Sequence, residues 1–190
     1  MTAYAFGLKT PRAFLAKARR EVERLAEIED RASSLADVAL VQDTAINAAL
    51  TLWHVADWVA RWPDPAYVAA IERIRVERPS LKKARLEIVR EHIRDSSHMV
   101  LCEALANGAK HFELYERPSL DSTRLFTTSG PFGGTAAVTV EADVTVRASV
   151  DAAIPFYFAK LKINGEGLRA LEVFKGALAY WDNFFTTYGL

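Results

Sequence analysis

Placed at 100° per residue, residues 34–62 form a helix that is apolar almost all the way round. A helix of that kind needs neighbours on several sides, so the chain has to fold as an assembly of elements around it. One line of side chains breaks the pattern. Asp43, Asn47, His54, Asp57 and Arg61 gather within a narrow arc, with Thr51 and Trp58 at its edge. Burying such groups without partners costs about 1–3 kcal/mol each. The line is therefore a solvent-facing strip, the lining of a cleft, or a buried polar network.

The flanking segments supply the neighbours. Pro11, a favoured first-turn residue, opens a helix to about Arg31 with Phe14, Leu15, Ala18, Val22, Leu25 and Ile28 on one face. Ser34 and Asp37 read as a capping box for the central helix, which Pro63 and Pro65 stop after Trp62. Asp64 caps a third helix over 65–78, with Pro65 at its first position. Residues 81–116 keep a helical period, with a break expected at Arg94-Asp95-Ser96-Ser97, where the short polar side chains can cap a new helix. Pro118 ends this part.

Beyond it the period changes. Along Thr135–Val150, Val138, Val140, Ala142, Val144, Val146 and Ala148 alternate with Thr139, Glu141, Asp143, Thr145, Arg147 and Ser149, as in a half-exposed antiparallel strand. Strands are also expected at Leu120–Thr128 and Ile154–Ile163, with turns at Gly130–Gly134 and Asn164–Gly167. Leu168–Tyr188 closes as a helix whose stripe of Leu168, Leu171, Phe174, Leu178, Trp181, Phe185 and Tyr188 covers the sheet or docks on the bundle. The expected fold class is α+β in a single domain over 1–190. It is mainly a bundle of about five helices (11–116), with a small antiparallel β-meander (120–164) before the closing helix (168–188).

Composition narrows the function classes. Twenty-four basic residues balance 24 acidic ones, without the basic excess usual in proteins that grip a nucleic acid backbone. No apolar run approaches the ~18–20 residues a membrane span needs, and Met1–Arg20 lacks the charged-then-apolar order of a signal peptide. A single cysteine, Cys102, suits a reducing cytoplasm. No cofactor motif is present: Gly130–Gly134 lacks the Lys-Ser/Thr of a phosphate loop. From Glu72 to Arg94 eight basic residues face four acidic ones, which reads as the solvated side of amphipathic helices before it reads as a phosphate-binding surface.

A second polar cluster lies in Asn107-Gly-Ala-Lys110-His111-Phe112, where Asn107 and His111 share a helix face. Trp53-His-Val-Ala-Asp57-Trp58 together with this block resembles uncharacterised bacterial helical proteins carrying W-H-x-x-D-W and N-x-x-K-H blocks. The closing pattern Tyr180-Trp181-Asp-Asn-Phe-Phe185 adds to the likeness. More distantly, the helical part is similar to HEPN-type bundles, many of which cleave RNA. That resemblance implies an RNA-cleaving or toxin-like activity. His111 with Asn107 or Lys110 is then the favoured set, the histidine as general acid or base and the lysine stabilising phosphorane charge. The Arg-to-His spacing of that group is met at Arg85 and His92, a match expected by chance in a chain with four histidines.

A metal reading would join His54, Asp57 and His111 as two imidazoles and a carboxylate. Cys102 lies one turn after His98, a spacing that could activate a thiolate. The reading that needs no missing motif is a non-catalytic interaction or structural protein, with His54, Asp57, Asn107 and His111 as a satisfied polar network. Its partner is unspecified, RNA is weakly supported, and the aromatic closing helix offers a contact for a homo-oligomer.

Overall fold

In the computed structural model the backbone is described for residues 8–31, 35–79, 84–108, 124–130, 136–138, 156–163 and 166–190. Side chains are described for 8–31, 39–79, 84–107 and 169–190. The helices are α1 (Pro11–Arg31), α2 (Leu35–Arg61), α3 (Pro65–Glu77), α4 (Arg85–Ile93), α5 (Ser97–Gly108) and α6 (Ala170–Thr187).

Local chemistry explains where several of them begin. Thr10 Oγ1 accepts from Ala13 N at 3.0 Å, so α1 is capped just ahead of Pro11. Asp64 Oδ1 accepts from Ala66 N at 2.9 Å at the head of α3. The expected break at 94–97 is present: Arg94-Asp95-Ser96 forms a turn, and Ser96 Oγ lies 3.4 Å from Met99 N at the start of α5. The capping box at Ser34 and the extension of the fifth helix to Glu116 fall outside the described residues.

The central helix is central in space as well. α2 packs against each of the other five helices. Six alanines, Ala45, Ala48, Ala49, Ala56, Ala60 and, on α6, Ala177, are buried where these helices meet. Their small side chains allow backbones to approach closely while Leu52, Val55 and Val59 fill the space between. α1 and α6 run antiparallel, since Arg12, Arg19 and Glu29 pair in turn with Leu190, Asp182 and Arg169.

The α+β expectation with a β-meander at 120–164 is corrected. The residues whose side chains are described are 86% helical, and every hydrophobic residue of their core belongs to one of the six helices. Backbone pairing is described for β1 (Arg124–Gly130), β2 (Ala136–Val138), β3 (Phe156–Ile163) and β4 (Glu166–Arg169), in the order β2-β1-β3-β4. That order places β1 between β2 and β3, which a meander of chain-consecutive neighbours cannot do. Alternation marks a pleated segment but carries no information about which strand lies beside it. Of the alternating stretch 135–150, only Ala136–Val138 lies among the described residues.

The closing helix starts at Ala170, two residues later than its apolar stripe suggests. Phe174, Trp181, Phe184 and Phe185 are fully buried or nearly so inside the chain's own core, so these rings are not a surface for a second copy.

Candidate functional site

The polar line of α2 divides among four surroundings: solvent, α1, the helix's own backbone and α4. Asp43, Asn47 and Arg61 are exposed to solvent. Thr51 is buried and accepts from Lys17 Nζ of α1 at 2.9 Å, while Trp58 stacks on Phe14 with ring centroids 5.1 Å apart. His54 is half-buried, its Nδ1 2.6 Å from the Leu50 carbonyl one turn back. Asp57 turns towards α4, where Arg90 Nη2 donates to its Oδ2 at 3.3 Å, and Arg61 Nη2 lies 3.8 Å from its other oxygen.

Beside Asp57 the buried ring of Trp53 collects two guanidinium groups, Arg90 at 5.4 Å and Arg94 at 5.9 Å from its centroid. Arg94 is a fork: its Nε and Nη2 donate to the two carboxylate oxygens of Glu103 on α5 at 2.7 and 2.6 Å, and its Nη1 reaches Glu91 at 2.5 Å. The hydrogen bond with Glu103 pushes the Arg94 guanidinium even further towards its charged form. Glu103 is only 8% exposed, so this pair sits at the edge of the core.

α2 and α5 are neighbours, as a meeting of the two polar clusters requires. Asn107 is half-buried on α5, whereas Lys110 and His111 lie outside the described residues. The described partner of Asp57 on a neighbouring helix is Arg90. Periodicity pointed to Asp57 but not to Arg90, Arg94 and Glu103. Arg90 and Arg94 belong to a basic run, and a one-dimensional run does not show which carboxylate each cation meets; Glu103 carries no such signal. In that run Arg73, Arg75, Arg78, Arg90 and Arg94 hold Glu77, Glu72, Asp95, Asp57 and Glu103. These cations are neutralised within the chain, which weakens the case for a phosphate track.

The other motifs separate in the same way. Cys102 is fully buried, and burial alone pushes its thiol well above the ordinary range, against nucleophilic use. His98, one turn earlier, is exposed and lies over Gly176 of α6. Arg85 is exposed at the start of α4, and His92 is half-buried near its end. Among the described residues no three His, Cys, Asp or Glu side chains group as metal ligands, and no helix is long and apolar enough to cross a membrane.

A second cluster gathers where α3, α4 and α6 meet. The His92 ring lies against Phe184 and Tyr188, at 5.7 and 5.8 Å between centroids. Tyr180 Oη donates to the His92 carbonyl at 3.2 Å, and Tyr188 Oη to Glu77 Oε2 at 3.3 Å. Burial, and then the Arg78 guanidinium, lowers the pKa of His92. Burial first of all raises both phenols, Tyr180 and Tyr188. Compared with known proteins, the chain matches no family model, no curated protein and no solved structure.

Proposed function

We propose that this chain is a non-catalytic interaction protein, working in the reducing cytoplasm, whose helices are set in register by polar pairs radiating from α2. The observation that carries the reading is the pairing of Asp57 with Arg90 across the α2–α4 contact. A carboxylate that faces an arginine of a neighbouring helix has a structural partner of its own, so its place on the polar line of α2 is accounted for without a reactant or a metal. Thr51 with Lys17, and Arg94 with Glu103, extend the same use of polar groups to α1 and α5. Such pairs add modest net stability, but they penalise any packing that separates them.

The test is a comparison of two variants. Asp57→Ala is expected to lower unfolding free energy by about 1–3 kcal/mol, because Arg90 loses its carboxylate in a partly buried setting. Incubated with single-stranded RNA, the wild-type chain is expected to produce no cleavage. RNA hydrolysis abolished by His111→Ala at an unchanged melting temperature would overturn the proposal in favour of a ribonuclease.

A further inference from the structure

We propose that His92 is a proton-sensitive latch: the last turns of α6 stay docked on α3 and α4 only while its imidazole is neutral. This goes beyond the interaction role above and rests on a different part of the molecule.

The geometry leaves the ring one comfortable protonation state. Tyr188 has a single hydroxyl proton, and a carboxylate oxygen of Glu77 lies 3.3 Å away to take it. The 3.5 Å approach of His92 Nε2 to the same hydroxyl is then favourable only if Nε2 carries the hydrogen and donates. That tautomer leaves a bare lone pair on Nδ1, which is buried and has no hydrogen-bond partner among the described residues. A second proton would have to sit on Nδ1, turning it into a buried donor with no acceptor among the described residues.

The surrounding charges do not rescue the imidazolium. α3 brings Glu77 and Arg73, whose guanidinium lies 5.2 Å over the Tyr188 ring, and Arg78 follows directly. The turn after α4 brings Asp95, α6 brings Tyr180, and the residue that caps its C-terminus is Tyr188. Arg78 disfavours a positive charge on His92, while Asp95 and Glu77 favour it. Both carboxylates are already engaged, however, Asp95 by Arg78 and Glu77 by Arg73. The two phenols stay neutral throughout the range in which a histidine titrates. Protonation is therefore easiest when the ring is undocked, and undocking the ring parts α4 from Phe184 and Tyr188.

The direction follows from linkage. With its pKa lower docked than free, the docked state is fully stable above the free value of about 6.5 and loses stability as pH falls through it. The loss stops once pH is also below the docked value. The experiment follows the His92 imidazole by NMR from pH 7.5 to 5, together with amide exchange protection at 184–188, in wild type and His92→Gln.

The expected result is a His92 midpoint below about 6.5. Protection at 184–188 should fall by up to about tenfold per pH unit in wild type and stay level in His92→Gln. A midpoint at or above the free value, or parallel protection profiles in the two proteins, overturns the latch. Should His92→Gln fail to fold, the wild-type protection profile decides: protection at 184–188 that stays level from pH 7.5 to 5 overturns the latch.

Discussion

Arg94 illustrates how one side chain can do several jobs at once. Its guanidinium plane lies near the Trp53 ring, and its fork closes on Glu103 with two short bonds. Removing it leaves a mostly buried carboxylate short of its bidentate partner. Arg94→Ala is therefore expected to cost about 3 kcal/mol in urea denaturation. Arg94→Lys should recover less than half of that, since an ammonium cannot reproduce the paired geometry; full recovery by lysine would show that charge alone matters. At this scale the sequence was partly legible. A run of polar residues on an apolar helix singled out Asp57 and His54, but their partners come from residues 33 positions away or from the local helix backbone. The spacing of His92 from Arg85 carries no information, and its surroundings are set by Phe184, Tyr188 and Glu77, all distant in sequence.

Helix starts were the most legible elements, because a cap is a contact between residues two or three apart. Asp64 and Ser96 each sit where a short polar side chain ahead of a helical period predicts a beginning, and Thr10 caps the helix that Pro11 opens. The β-meander failed for the opposite reason, since strand order is a choice among distant partners. Gly176 shows a contact that local preference argues against. A glycine inside α6 lowers helix propensity by about 1 kcal/mol relative to alanine. A Cβ at that position, however, would stand 2.7 Å from three atoms of the His98 ring on α5. Gly176→Ala should accordingly lower the melting temperature in wild type, yet raise it in a His98→Ala background, where the ring is gone and only the propensity gain of about 1 kcal/mol remains. Additive effects in that double-mutant cycle would show that the ring is not what excludes a side chain here.

Across the whole molecule, α2 and α6 are tied at their centres as well as by packing. Trp181 is fully buried, and its Nε1–H donates to the Leu52 carbonyl at 3.1 Å, in the middle of the central helix. Trp181→Phe removes that bond and leaves a small void, an expected loss of about 2–3 kcal/mol. Because buried apolar side chains from all six helices join in one cluster, helical circular dichroism and aromatic fluorescence should shift together to the lower midpoint. Two separate transitions would show that α6 unfolds independently. The helical segments, several of their caps and the enclosure of residues 34–62 are legible along the chain, because period, capping and burial tendency are written within a few neighbouring positions. That Asp57 meets Arg90, that Arg94 closes on Glu103 and that His92 lies under the end of α6 follows only from the folded arrangement of the helices. Those pairings depend on which helix faces lie within about 3 Å of one another, a distance that no local periodicity encodes.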